Sequence, residues 1–170
     1  MKKLLEKMKN SPYVYWHPKE NLPNIQKHHK LLPGLIEIYQ CCNGFDLFDS
    51  GDYHFPIFFS KSEEFIPFND FYYEKEMLEE AKEEEDYETW ISHDWYVLAD
   101  IDNGNRIAID LNPARYGYCY LANWETYHME GYMPIIAKSV QEFIERCLEN
   151  EDDYFYWEKE DFKSHGDAFD

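Results

Sequence analysis

Residues 95–111 (WYVLADIDNGNRIAIDL) constrain this chain more than any other stretch. Two apolar runs, 95–101 and 106–111, flank Asp102-Asn103-Gly104-Asn105. Asn-Gly accepts the positive φ angles of a tight hairpin turn, so the runs read as paired antiparallel strands. Residues 117–122 (GYCYLA) supply a third strand and complete a meander. Such a sheet needs something to cover it, and the rest of the chain offers helices.

Residues 32–42 read as a helix. Pro33 suits its first position, where a missing N–H has no intrahelical partner to lose. Leu35, Ile38, Tyr39 and Cys42 follow at helical spacing, and Asn43-Gly44 is expected to end the helix in a left-handed cap. Residues 139–148 form another: Ser139 and Glu142 have capping-box spacing, and Val140, Phe143, Ile144, Cys147 and Leu148 form an apolar stripe. That stripe is expected to run on through Tyr154 and Phe155. Residues 2–9 suggest a short helix with Leu4, Leu5 and Met8 on one side, and residues 74–90 a longer one from their Glu, Lys, Leu, Met and Ala content. Residues 11–20, with Pro12 and Pro18, read as extended or looped. Residues 53–59 alternate Tyr53, Phe55, Ile57 and Phe59 as a strand does, with Pro56 assigning it to an edge. Strands and helices without regular alternation indicate an α+β fold: an antiparallel-rich central sheet flanked by helices.

Charge narrows the function. The 170 residues carry 16 Lys+Arg and 35 Asp+Glu, a formal net charge of −19. An aromatic share of 19% separates this chain from disordered acidic tails. The balance opposes contact with phosphate backbones and anionic membranes, and favours a basic partner whose approach it accelerates. The acid is localised. Residues 74–88 hold nine acids against two lysines, as do residues 149–170, whereas residues 1–30 hold seven lysines against two acids. Two contact regions stand out: Glu83, Glu84, Glu85 and Asp86, and the later stretch with Asp152, Asp153, Tyr154, Tyr156 and Trp157. Aromatic anchors suit an interface, and packing of a helix extension onto the core accounts for the same rings equally well. A solvated helix face with Glu/Lys pairing accounts for residues 74–88.

Chemistry is hard to find. Asp100, Asp102, Gly104 and Asn105 invite comparison with a calcium loop, but counting from Asp100 puts Gly104 fifth and Leu111 twelfth, so the pattern fails and a hairpin turn explains the residues. The seven histidines show no metal-ligand spacing. Cys41, Cys42, Cys119 and Cys147 form no CxxC pair, which fits reduced thiols in the cytoplasm. A Cys–His pair close in space stays open, because such partners need not be close in sequence. There is no GxSxG, Walker or dinucleotide motif, no signal peptide and no apolar run long enough to span a membrane.

Leu32-Pro33, Tyr39 and Asn43-Gly44, in that order, resemble the helix motif of the SUKH superfamily, the Smi/Knr-like proteins. The stretch Trp95 to Leu111 is similar to that family's central hairpin, with Gly104 in the turn and Asp110 after the second strand's apolar run. Ile136-Ala137-Lys138-Ser139 with Phe143 resembles its closing helix. The matches cover about residues 31–148. Residues 1–30 contain no Gly, unlike the family's N-terminal segment, and the acidic aromatic stretch 149–170 lies outside the shared region. The resemblance implies a single Smi/Knr-like domain over 1–170, with its core at 31–148, and neither catalytic residues nor cofactor nor metal. Many bacterial members are cytoplasmic immunity proteins that neutralise a secreted or contact-delivered toxin, often a nuclease. For this chain the charge balance adds an expectation of no direct contact with nucleic acid or membrane. Fungal members are regulatory scaffolds, which makes a non-catalytic interaction module the alternative. Monomer and homodimer are both compatible with the sequence.

Overall fold

The computed structural model describes residues 1–49, 55–102, 104–150 and 154–170. Helix α1 (Lys2–Met8) buries Leu4, Leu5 and Met8 and is followed by strand β1 (Val14–Trp16). Helix α2 (Pro33–Cys41) starts at the expected proline. Strands β2 (Phe45–Leu47) and β3 (Ile57–Phe59) follow, then short helices α3 (Phe68–Tyr72) and α4 (Lys75–Ala81). Two 3₁₀ turns, Tyr87–Thr89 and Ile91–Asp94, lead into β4 (Trp95–Asp102), β5 (Asn105–Asp110), β6 (Cys119–Ala122) and β7 (Ile135–Ala137). Helix α5 (Val140–Asn150) and a 3₁₀ turn at Tyr156–Glu158 complete the elements. The seven strands form one antiparallel sheet in chain order, with helices packed on it, which is an α+β fold.

Alternation along the strands sorts side chains onto two faces. In β5, Ile107 and Ile109 join the larger core beneath α1, α2 and α5, with Leu35, Ile38, Phe143 and Ile144. Ala108 points the other way, into a second core with Trp95, Tyr120, Phe68 and Tyr127. The second face is sealed over β4–β7 but not toward β1, where the cross-strand row Tyr15, Asp46, Phe58, Asp100, Arg106 ends on a Tyr15 that is 63% exposed.

Several elements differ from the sequence expectation. Helix α4 stops at Ala81, and Glu83–Asp86 lie in turns; a continued helix would set Glu79 against Glu83 and Glu80 against Glu84, like charges four residues apart. Strand β3 sits inside the sheet between β2 and β4, not at an edge, since Pro56 precedes the ladder rather than interrupting it. The Tyr53 end of that reading lies outside the described residues. Ile136 and Ala137 belong to β7, and α5 begins only at Val140, where Ser139 Oγ accepts the Glu142 N–H at 3.1 Å. Helix α5 ends at Asn150, so Tyr154 and Phe155 do not continue its stripe. The hairpin is as expected, with Gly104 at φ +84° in the turn.

Gly44 has a role other than the expected cap. Cys42 leaves α2 in an extended conformation, and Gly44, at φ +78°, lies where a Cβ would stand 2.6 Å from the Phe59 carbonyl oxygen. The glycine lets the chain pass against the end of β3. Gly44→Ala is expected to cost about 2 kcal/mol or more, combining positive-φ strain with a backbone clash. Thermal unfolding checks this, and for a chain of this size the melting temperature should fall by roughly 4–8 °C.

Candidate functional site

A hollow of about 530 Å³ opens on the unsealed part of the second sheet face. Phe58 and Val97 line its floor and Phe71 of α3 stands at its side. Polar groups are arranged in pairs: His17 Nε2 lies 2.9 Å from Asp46 Oδ1, and Arg106 donates to Asp100 at 2.8 Å while resting 4.8 Å from the Phe71 ring centroid. Lys61, Glu63 and Glu64 form one wall. Hydrogen bonds from its own backbone, Asn43 and Ser62 hold the Glu63 carboxyl below its usual range, so it is a carboxylate at neutral pH. Asp46 also lines a shallower hollow of about 310 Å³ with Tyr15 and Asp49, so the two depressions meet at β1 and β2.

The motif residues of α2 build that wall. Leu32 is buried beside α2. The Tyr39 hydroxyl donates to the Ser60 carbonyl at 2.8 Å, the Asn43 side-chain oxygen accepts the Ser62 N–H at 2.8 Å, and Gly44 makes room for Phe59 and Ser60. Three points along residues 39–44 thus fix residues 59–62.

Asp110, fully buried, organises the second core. Its Oδ2 accepts from Trp95 Nε1 (3.0 Å), Arg115 Nε (2.7 Å) and the Tyr120 hydroxyl (3.1 Å), and its Oδ1 from the Asn112 N–H (2.7 Å). Burial pushes the carboxyl up from its ordinary value, and the Asn112 and Arg115 donors oppose that shift. Arg115 also lies 3.6 Å from Asp94, whose other oxygen meets His29 Nε2 at 2.8 Å. His29 Nδ1 meets the Tyr96 hydroxyl at 2.9 Å, and that hydroxyl accepts the Gln26 N–H at 3.0 Å. The network ties residues 26–29 to the hairpin. His28, His29 and Asp94 bring three possible metal-ligand atoms within 4.8 Å of one another. Both His29 nitrogens are engaged, and a guanidinium beside Asp94 opposes a cation, so this is a hydrogen-bonded structural network.

Glu83, Glu84, Glu85 and Asp86 are all exposed, in the turns beside Tyr87 and Trp90. Asp152 and Asp153 lie outside the described residues. Tyr154 is 54% exposed, whereas Tyr156 and Trp157 are each 8% exposed and join the larger core. Tyr156 donates to the Ile136 carbonyl at 3.0 Å, and Trp157 stacks on Phe155 and Phe143. Of those three rings only Tyr154 presents an open face. Tyr156 and Trp157 lie in the larger core, whereas rings beside the first acidic stretch pack with the second core through Tyr73. The end of the later stretch reaches that second core too, through Ala168 and through Phe169 against His128, a ring that Trp90 also contacts. The hollow was missed by sequence reading. Asp100 and Arg106 break the apolar runs on one face of the hairpin, a signal that marks it; His17 and Asp46 meet through strands of three residues, too short to read. Burial pushes the Cys42 thiol up to about 12 and raises Cys119 and Cys147 as well, so none is a ready thiolate.

A helix-backed antiparallel meander with one partly open face defines an α+β domain with a recessed hollow on its sheet. The chain belongs to the SMI1/KNR4 family (SUKH-1), whose pattern matches residues 24–146. It is 33% identical over 151 residues to a protein named immunity protein YokJ from Bacillus subtilis (strain 168), covering 89% of this chain and 84% of that protein. No solved structure matches. No helix among the described residues is long and apolar enough to cross a membrane.

Two outcomes follow from the buried groups. Asp110→Ala leaves Arg115, Trp95 and Tyr120 without their shared acceptor and is expected to cost roughly 3–5 kcal/mol in urea denaturation. His128, ringed by Trp90, Trp95 and Tyr127, has its pKa lowered to about 4 by burial and by His93. The unfolded histidine titrates near 6.5, so between the two values the unfolded chain binds the extra proton and stability is lost as the pH drops, by about 3 kcal/mol over the window. Denaturation curves of His128→Phe between pH 6.5 and 5 should show a shallower loss than the wild-type chain.

Proposed function

We propose that this chain is a cytoplasmic immunity protein: it binds and neutralises a cognate secreted or contact-delivered toxin by capture, without catalysis. Its likeness to an immunity protein over 89% of its length carries the reading, together with membership of the SMI1/KNR4 family. The toxin we infer is a basic nuclease domain. A nuclease must hold phosphates and is positive near its site, and a body of charge −19 competes for that position.

The exposed acids at 83–86, together with the negative charge of the 149–161 stretch, set up the field that guides encounter, and Tyr154 offers an open ring within the second stretch. Co-expression tests the reading directly: the wild-type chain should co-purify with, and protect cells from, the toxin encoded beside its gene. A stable complex with a house-keeping enzyme and no protection would favour the scaffold alternative instead. Replacing Glu83, Glu84, Glu85 and Asp86 together by Lys should slow association about tenfold or more at low salt, with dissociation little changed. Stopped-flow association across a salt series measures this; an unchanged on-rate removes that turn from the steering surface.

A further inference from the structure

We propose that the outer edge of β1, with the hollow beside it, receives an extended segment of the toxin as an added strand. This rests on the immunity reading above and names a docking surface for it.

The sheet has two edges, treated differently. The β7 edge is covered: the Ile135 N–H donates to the Gly166 carbonyl and the His165 N–H to the Ile135 carbonyl, both at 2.9 Å, and Pro134 bridges Asp167. At β1, among the described residues, no strand pairs on the outer side. The inner ladder fixes which groups point outward. The Phe48 N–H donates to the Tyr13 carbonyl at 2.9 Å and the His17 N–H to the Gly44 carbonyl at 3.2 Å, so residues 13, 15 and 17 face β2. Backbone polarity alternates along a strand, so the N–H and C=O of Val14 and Trp16 face away from the sheet. Edges are ordinarily blunted by shortness, by Lys, by Pro within the strand or by a bulge. Strand β1 is short, but Pro12 and Pro18 only bound it, and Val14, Tyr15 and Trp16 all favour pairing.

A strand laid against this edge places side chains on the second face next to Tyr15, over the depression that runs from Asp49 past Asp46 to Phe58. The chemistry there selects the occupant. Asp46, Asp49, Glu63, Glu64 and Asp100 outnumber Lys61 and Arg106, so the hollow suits a lysine or arginine on the incoming strand, with Tyr15 and Phe58 taking its apolar neighbours. A second copy of this chain, itself at −19, would bring carboxylates against carboxylates.

The test uses the full chain and the co-purified toxin with its catalytic residue disabled. Val14→Pro removes an outward N–H without touching the inner ladder but trims a side chain packed on the larger core, and Tyr15→Lys replaces an exposed ring whose ring contact among the described residues is with His17. Each is expected to speed dissociation at least tenfold, Tyr15→Lys with the melting temperature held, and hydrogen exchange at the Val14 and Trp16 amides should slow at least tenfold in the complex. Toxin binding with both amides unprotected and wild-type dissociation in Tyr15→Lys overturns the inference and leaves the immunity reading standing. If the same amides are protected in the free chain as its concentration rises, the occupant is a second copy and the proposal is wrong. If the wild-type chain neither binds nor protects against the toxin, the immunity reading itself fails and this inference with it.

Discussion

Everything on the second face hangs on one buried carboxylate. Asp110 gathers an indole, a guanidinium, a phenol and a backbone amide from three adjoining stretches of chain. An ionised group in an apolar layer is tolerated only where its lone pairs are filled, and here they are. Because the donors come from β4, from the 112–115 loop and from β6, the group acts as a register pin for the meander. It also hands its geometry onward through Arg115 and Asp94 to His29, so an otherwise irregular stretch before α2 is held against the hairpin.

Much of this was written in local pattern. The β4–β5 hairpin, the proline start of α2, the stripe of α5 and the apolar side of α1 were legible because each depends on residues within a turn or two of one another. The remainder depends on partners far away in sequence. Gly44 looked like a helix stop, yet its positive φ serves a close pass against Phe59. Tyr156 and Trp157 suited an interface as well as a core, and only the position of Phe143 and Ile136 decides between them. The 74–90 stretch has helix-forming composition, but past Ala81 like charges four residues apart oppose the helix. Pro56 was read as a mark of an edge because its place one residue before the ladder is not visible locally. Of the residues proposed to bind, the acidic turn is legible from charge, while the hollow of Asp46, Glu63 and Arg106 is assembled by the pairing of short strands.

The division of labour between charge and shape follows from where each lies. The acidic turn at 83–86 is exposed, suited to long-range attraction that salt screens within about 8–10 Å. The hollow beside β1 is recessed, with ion pairs and rings fixed in place, suited to contacts that govern residence time. A body can therefore change the speed of capture and the firmness of hold through different residues.

The strands lie in the sheet in the order in which they leave the ribosome. Each new strand meets a neighbour already made, so pairing closes mostly short loops, and such topologies form quickly. The exception lies at the end: Gly166 and Ala168, which cover β7 and complete the second core, come after everything they seal. During synthesis the helix-side core can close while the other layer still waits for its last residues.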